Sequence, residues 1–246
     1  MTAPEGAGRL YLVATPIGNL GDITHRAVET LKGADVIACE DTRHSRVLFD
    51  RYGIRVPTVS YHDFSEKRRA PELLERLVAG QKVALISDAG TPGIADPGYR
   101  LVRAAIDAGI PVEPLPGPAA FLAALAVSGL PTDRFTFEGF FPVKAGAKKK
   151  KLLELRAEGR TAIFYESPHR LVKTLSLMRE TLGDVPVVVA RELTKKFEEV
   201  FRGTLSQAVE RFGRGKVLGE IVVLFHPEAG EKGRDGRSRT DPKESV

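Results

Sequence analysis

Short apolar runs alternate with longer amphipathic segments through the first half of the chain. The runs have the length of strands, while the segments between them repeat apolar residues at helical spacing. Strands that alternate with helices in this way predict a mostly parallel α/β sheet. The predicted strands are 10–13, 36–39, 56–60, 83–86 and 110–114, and the predicted helices are 22–32, 44–52, 66–79, 97–109 and 118–128.

The pattern changes near residues 128–132, where prolines and an aromatic cluster interrupt it. Strands and helices are mixed again beyond this stretch, which predicts a second α/β domain. Its predicted strands are 161–166, 185–193, 198–202 and 220–225, and its predicted helices are 169–182 and 205–212. We therefore expect a flexible N-terminus (1–9), an N-terminal domain (10–128), a C-terminal domain (129–226) and a disordered, Gly-rich and charged tail (227–246).

Composition narrows the class of protein. The chain has 246 residues, of which 42% are hydrophobic and 28% are charged, as in an ordinary globular protein. It begins without a signal-peptide pattern and contains no apolar stretch long enough for a membrane helix. Its one cysteine, Cys39, lies in an apolar run and excludes an internal disulfide, so we expect a buried thiol in the reducing cytoplasm. The net charge of +5 is compatible with a polyanionic partner.

Three loops rich in glycine and proline begin where apolar strands are predicted to end. These Gly/Pro loops are "TPIGNLGDIT" (15–24), "SDAGTPGIADPG" (87–98) and "LPGPAA" (115–120). In open α/β sheets ligands bind at the carboxyl ends of strands, where such loops converge. One loop alone is explained by a tight turn, but three predict a pocket built largely of main-chain groups. Its predicted lining includes Pro16, Gly18, Asp88, Gly90, Pro92, Gly93 and Ala95.

The chemistry of the Gly/Pro loops limits the ligand. Their backbone amides and carbonyls suit a polar zwitterion, and small apolar side chains beside them can flank a flat ring. None of the three loops contains Lys or Arg, which favours a nucleoside with an amino-acid tail over a triphosphate. GxGxxG, Walker A and GxSxG patterns are absent, and the histidines lack metal-ligand spacing, so we expect no metal. Asp96 is expected to cap the helix that follows it, and Asp88 either satisfies loop amides or contacts the ligand.

Seven motifs follow one another in order between about residues 10 and 225: "LYLVATPIGNLGDIT", "EDTRHS", "SDAGTPGIADPG", "PLPGPAA", "FEGFFP", "FYESPHR" and "ARELTKKFEE". Together they resemble the bacterial small-subunit ribosomal RNA 2′-O-ribose methyltransferases of the tetrapyrrole methylase superfamily. The resemblance implies S-adenosylmethionine as methyl donor, a ligand cleft between two α/β domains and a homodimer. The implied target is the ribose of cytidine 1402 in 16S rRNA of the small ribosomal subunit. The implied donor contacts are Ile17, Thr91, Ile94, Ala119 and Ala120, with Tyr165 and Leu193 closing the cleft.

The implied reaction transfers a methyl group from a sulfonium to a ribose hydroxyl, so the enzyme must align the reacting atoms and help to remove a proton. The candidate catalytic residues are Glu166, His169, Glu192 and Lys195. Each has a structural alternative, because the two glutamates can pair with Arg170 and Arg191, and His169 can simply begin a helix. If "RELTKKFEE" turns helically, Glu192 and Lys195 share a face.

Basic residues near the predicted pocket and the domain junction are candidates for binding RNA. They are Arg43, His44, Arg170 and the run Lys148, Lys149, Lys150 and Lys151. Such a run is also typical of a solvated helix face. Two other functions stay open at this point, a tetrapyrrole C-methyltransferase and a non-catalytic RNA-binding module.

Overall fold

The computed structural model describes residues 8–227, which divide into two compact units. The first unit runs to Ala123 and also includes Glu192–Glu198, and the second comprises Ala124–Arg191 and the described residues from Glu199 onward. The predicted boundary at 128–129 lies a few residues later. The expected tail beyond residue 227 and the N-terminus before residue 8 lie outside the described residues, whereas Arg9, expected to be flexible, begins the first strand.

The first unit is built on a parallel sheet, as the sequence predicts. Its strands are β1 (Arg9–Val13), β2 (Val36–Cys39), β3 (Thr58–Ser60), β4 (Lys82–Ile86) and β5 (Val112–Leu115), in the order β3-β2-β4-β1-β5. All four strand pairs are parallel. The helices are α1 (His25–Lys32), α2 (Thr42–Tyr52), α3 (Glu66–Val78), α4 (Tyr99–Asp107) and α5 (Ala120–Ala126), the last of which crosses the division between the units.

The sheet of the first unit is covered on both faces. Along β4, Val83 and Leu85 pack into one apolar cluster, while Ala84 and Ile86 pack into the other. A strand buried on both faces reads as a continuous apolar run, which is why the sequence shows one here. Because β4, β1 and β5 are neighbours about 4.8 Å apart, the carboxyl ends from which the three Gly/Pro loops start lie side by side.

The second unit contains a mixed sheet, and its strands and helices share one hydrophobic core. Its strands are β6 (Phe135–Phe140), β7 (Thr161–Glu166), β8 (Pro186–Arg191), β9 (Glu199–Thr204) and β10 (Ile221–Phe225), in the order β6-β7-β10-β8-β9. Only the β6–β7 pair is parallel. The helices α6 (Ala145–Glu158), α7 (Leu171–Leu182) and α8 (Leu205–Gly213) contribute Leu155, Leu175 and Phe212 to a core around Phe164.

Two elements of the second unit, β6 and α6, were not predicted. In β6 only Phe137 of the three aromatic residues is half-buried, whereas Phe135 and Phe140 are exposed. The apolar–polar alternation breaks at Gly139, where the register with β7 shifts, so too short a run is left to predict a strand. In α6 the residues Leu152 and Leu155 are buried, but Leu153 between them is 46% exposed, so the apolar stripe of the helix is not clean.

Helix α4 is capped by a side chain from α3, so the expectation that Asp96 caps it was wrong. The N-cap residue is Gly98, which has no side chain to accept a hydrogen bond from the first backbone amides of α4. Instead, Glu66 Oε1 accepts hydrogen bonds from the backbone amides of Gly98 and Arg100, both at 3.2 Å. A carboxylate at this position stabilises the positive end of the helix dipole. Asp96 lies near Ser87 instead, whose side chain lowers the Asp96 pKa against the effect of burial.

Candidate functional site

The three Gly/Pro loops meet at one edge of the first sheet, as predicted. Thr15 and Gly90 exchange two backbone hydrogen bonds of 2.8 and 3.0 Å, which join the first loop to the second. The Thr15 hydroxyl also donates to the Ser87 carbonyl at 3.0 Å. The Thr91 hydroxyl donates to the Pro118 carbonyl at 3.1 Å and so joins the second loop to the third.

Glycine is required at two of these positions for different reasons. At Gly117 an added Cβ would lie 2.8 Å from Ala14 Cβ, so the third loop approaches the end of β1 only because this side chain is absent. At Gly93 an added Cβ would meet no atom within 4 Å, but the backbone has φ +80°. A side chain at Gly93 would therefore point into open space while the backbone stays in the left-handed region that favours glycine.

The residues expected to contact the ligand differ in exposure and in backbone conformation. Gly93, Ala95 and Ile94 are exposed, whereas Ile17 is buried, with its Cγ2 3.7 Å from the position that a Cβ on Gly90 would take. Ala95 holds φ +62°, a conformation that costs a non-glycine residue about 1–3 kcal/mol and is concentrated at functional sites. Of the remaining expected contacts, Gly18 is exposed, Gly90 and Pro92 are buried, and the others are half-buried, namely Pro16, Asp88, Thr91, Ala119 and Ala120. Their direct contact with a ligand stays a prediction.

The 192–198 segment, Glu192–Glu198, reaches the first Gly/Pro loop at Gly18. An added Cβ on Gly18 would lie 2.9 Å from Thr194 Oγ1 and 3.0 Å from Lys195 Cε, so only glycine allows this approach. Thr194 Oγ1 is buried and makes no hydrogen bond within the described residues. Leu193, expected to close the cleft from the second domain, is buried in this segment and groups with the first unit.

The expected pairing of Glu192 with Lys195 is present. Lys195 Nζ lies 3.0 Å from Glu192 Oε1, and the Lys195 amide donates to the Glu192 carbonyl at 3.0 Å. The turn is closed further by a 2.6 Å bond from the Thr194 amide to Glu198 Oε2. Glu192 and Thr194 have φ of +51° and +67°, so the segment holds two strained residues in place. Arg191, the alternative partner of Glu192, pairs with Glu199 instead.

Acidic groups lie behind the second Gly/Pro loop. Burial, followed by the nearby Glu40 and Asp88 carboxylates, raises the pKa of Asp96 to about 7. Burial, with the Asp88 charge, also raises the pKa of Glu40. Asp88 Oδ1 accepts the backbone amide of Asp41 at 3.0 Å, which supports the structural interpretation of Asp88.

Glu166 lies in a buried polar network of the second unit and is not available as a proton acceptor. Its carboxylate is bonded to Lys148 Nζ at 2.7 Å, to the Thr174 hydroxyl at 2.6 Å and to Arg170 at 2.7 Å. Burial raises the pKa of Glu166, but the hydrogen bonds from Lys148, Thr174 and the Ser167 amide outweigh it, and the net pKa is lowered. The structural alternative, an ion pair with Arg170, is the one that the structure shows.

The four lysines of α6 do not all face solvent. Lys148 is buried, so the expectation that it contacts RNA was wrong. Four consecutive helical residues cover most of a turn, and Lys148 shares the buried face with Leu152 and Leu155 at i+4 and i+7. Lys148 is 5% exposed. Lys149 and Lys150 are exposed, and Lys151 pairs with Glu138 at 3.0 Å and with Glu154 at 3.5 Å.

The other expected site residues have these environments. Arg43 and His44 are exposed in the first turn of α2, at the same edge of the sheet as the Gly/Pro loops, and Arg43 pairs with Asp41 at 3.0 Å. His169 is exposed just before α7. Tyr165 packs edge-on against Phe137 and Phe140, with ring centroids 5.0 and 5.5 Å away. The roles of all four stay predictions.

Residues 8–227 contain neither a candidate metal centre nor a membrane-spanning helix. There, no group of three or more His, Cys, Asp or Glu side chains is arranged to hold a metal ion. None of the helices in that range has the length and apolarity needed to cross a membrane. Cys39 is fully buried, and burial raises the pKa of its thiol to about 11, so it is a packing residue, as predicted.

Comparison with known proteins identifies the family. A family model described as tetrapyrrole (corrin/porphyrin) methylases matches residues 9–209. A Mesorhizobium japonicum protein named ribosomal RNA small subunit methyltransferase I is 56% identical over 220 residues, covering 89% of this chain and 75% of that protein. A Thermotoga maritima protein of the same name is 48% identical over 219 residues, covering 89% of this chain and 98% of that protein.

A solved structure shows the same fold at low sequence identity. The methyltransferase CobJ has a TM-score of 0.68 and 22% identity, covering 89% of this chain and 94% of that one. The family model covers most of the described residues, including all three Gly/Pro loops and the 192–198 segment. The chain therefore belongs to the tetrapyrrole methylase family, whose members are S-adenosylmethionine-dependent methyltransferases.

Proposed function

We propose that this protein transfers a methyl group from S-adenosylmethionine to a ribose 2′-hydroxyl of 16S rRNA in the small ribosomal subunit, at cytidine 1402. The RNA substrate is supported by relatives that are 47–56% identical and carry the name ribosomal RNA small subunit methyltransferase I. The observation that carries the proposal is the meeting of three Gly/Pro loops with the Glu192–Lys195 pair at Gly18. We expect the enzyme to act in the cytoplasm as a homodimer.

The residues at this edge of the sheet fit S-adenosylmethionine. The loops offer main-chain groups and small apolar side chains, and Thr194 Oγ1 is a buried hydroxyl with no partner among the described residues. In this proposal Ile94 and Ala95 flank the flat base, and the backbone around Gly90 and Gly93 holds the amino-acid tail. When bound, the cofactor supplies an activated methyl group, so the protein has to align the ribose oxygen with it rather than activate a leaving group.

The Glu192–Lys195 pair supplies the groups that a ribose hydroxyl needs. A hydroxyl is a poor nucleophile until its proton is removed, and positioned acid–base groups contribute about a hundredfold or more. In our proposal the Glu192 carboxylate accepts that proton, and the Lys195 ammonium stabilises the negative charge that develops on the oxygen. Both side chains are partly exposed, at 18% and 27%, so a substrate can reach them.

Exposed basic residues are the proposed contacts to the RNA backbone. These contacts are Lys149 and Lys150, the exposed members of the lysine run, together with Arg43 and His44. Each phosphate that a cation neutralises releases counterions, so RNA binding should weaken as salt rises.

Label transfer from methyl-labelled S-adenosylmethionine tests the proposal. The acceptors are small ribosomal subunits with unmethylated 16S rRNA, large ribosomal subunits and a porphyrinogen, and donor binding to the protein alone is measured by calorimetry with and without a chelator. We expect label only in the RNA of small subunits, and donor binding that chelation does not change. Label in the porphyrinogen would establish a tetrapyrrole methyltransferase, and RNA binding without transfer would establish a binding module.

A further inference from the structure

Phe197 is exposed on the segment that touches the first Gly/Pro loop. It is 64% exposed, and the Lys196 ammonium lies 5.6 Å from the centroid of its ring. A cation–π contact at an exposed site stabilises a protein less than full burial of a phenylalanine ring does. The contact with Lys196 therefore does not offset the exposure of the ring.

Single exposed apolar residues are ordinary on protein surfaces, so the position of Phe197 matters more than its exposure. It lies in a turn closed by a 3.1 Å bond from the Glu198 amide to the Lys195 carbonyl. The Glu198 carboxylate accepts the Thr194 amide and closes the same turn from the other side. Phe197 is thus held by a turn whose Lys195 lies against Gly18.

We propose that Phe197 is a stacking platform for a nucleobase of the substrate RNA, with Lys196 neutralising a phosphate of the same strand. This inference rests on the proposed function. An enzyme that methylates a ribose must hold the nucleotide with its 2′-hydroxyl accessible, and RNA is read mainly where bases are unstacked and can stack on aromatic side chains. Such stacking contributes roughly 5- to 150-fold in affinity per base. Phe197 positions the nucleotide relative to Glu192 and Lys195 in the same turn.

Charge favours RNA over a second copy of the chain as the occupant of this ring. Lys195 and Lys196 precede Phe197 directly, and lysine is depleted in the cores of protein–protein interfaces. A ring with the Lys196 ammonium beside it matches a nucleotide, which offers a flat base and a phosphate together.

The first unit contains a matched control. Phe64 is 97% exposed and follows β3, the edge strand that β2 separates from β4. It therefore presents a still more accessible ring, after a strand that supplies none of the Gly/Pro loops.

The test compares Phe197→Ala, Phe197→Leu and Phe197→Trp in steady-state methylation of small subunits with unmethylated 16S rRNA, at saturating S-adenosylmethionine. We expect Phe197→Ala and Phe197→Leu to raise the KM for subunits about tenfold, and Phe197→Trp to stay within about twofold of the parent, because only a flat aromatic ring stacks on a base. Affinity for S-adenosylmethionine and sedimentation should not change in any of the three. Phe64→Ala should leave KM unchanged.

Three results would overturn the proposal that Phe197 stacks on a base. A KM for Phe197→Ala close to that of the parent would show that nothing stacks on the ring. Full activity of Phe197→Leu would show that the ring makes an apolar contact and does not stack. A changed sedimentation coefficient would show that the ring lies in a contact between two copies of the chain. If the parent methylates no subunit RNA, the proposed function fails as well, and the parent assay in the same experiment identifies that case.

Discussion

Lys195 lies against Gly18, with its Cε 3.0 Å from the position that a Cβ on this glycine would take. The two residues are far apart in the sequence, and their contact brings the Glu192–Lys195 ion pair to the first Gly/Pro loop. Together with the Thr15–Gly90 and Thr91–Pro118 bonds, this contact unites four separate segments of the chain at one edge of the first sheet.

Lys195→Met keeps most of the aliphatic stem that packs on Gly18 and removes the charge. We expect single-turnover methyl transfer to fall about a hundredfold or more, the usual scale for a lost group that stabilises charge in the transition state, with affinity for S-adenosylmethionine retained. The control is Lys32→Met, because Lys32 ends α1 at the opposite edge of the sheet. If Lys195→Met transfers the methyl group at nearly the rate of the control, Lys195 has only a structural role.

Gly93→Val tests whether the second Gly/Pro loop binds the methyl donor. The added side chain would enter open space at a backbone φ of +80°, so we expect affinity for S-adenosylmethionine to fall about tenfold or more, measured by calorimetry. Gly53→Val is the matched control for Gly93→Val. Gly53 has φ +67° at the end of α2, and an added Cβ there would also meet open space. Both variants lose similar stability from the left-handed backbone. Equal donor affinity in the two would show that the loop is only a turn.

Lys148→Met tests the buried network of the second unit. Removing one partner of a buried pair costs about 3–5 kcal/mol, and we expect the lower end of this range because Arg170 and Thr174 still satisfy Glu166. Urea denaturation measures the change. Lys149→Met, at an exposed position of the same helix, should alter the free energy of unfolding by less than about 0.5 kcal/mol. If the two variants are equally stable, Lys148 is not a structural residue.

Stability should fall as pH rises towards 7 because of Asp96. Its pKa is raised to about 7 in the folded protein, so between about pH 4 and 7 the folded state holds a proton that the unfolded state has lost. The contribution of this group is therefore complete at low pH and lost as pH rises through 7. We expect Asp96→Asn to gain stability relative to the parent between pH 5 and 8, by about 2 kcal/mol since solvent partly reaches the carboxyl. Parallel pH profiles in urea denaturation without methyl donor would contradict this.

Local pattern predicted most of the first unit because its strands are buried on both faces. A strand such as β4, whose residues pack alternately into two clusters, must be apolar throughout, and the loops that follow such strands must converge. The sequence therefore indicated the three Gly/Pro loops and their meeting at one edge.

Contacts between distant segments could not be read from local pattern. Glu66 caps α4 from another helix, and Lys195 approaches Gly18 from the far end of the chain. Lys148 is the one error that the sequence could have prevented, because its i+4 and i+7 neighbours are leucines and mark the buried face of α6.

Mass mapping of 2′-O-methyl groups in 16S rRNA tests the account most directly. Small subunits with unmethylated rRNA are incubated with the protein and methyl-labelled S-adenosylmethionine, and the RNA is digested and sequenced by mass. Our account predicts one labelled nucleoside, a 2′-O-methylcytidine at position 1402, and its loss with Lys195→Met. Label on a base, on another nucleotide or on no RNA would contradict it.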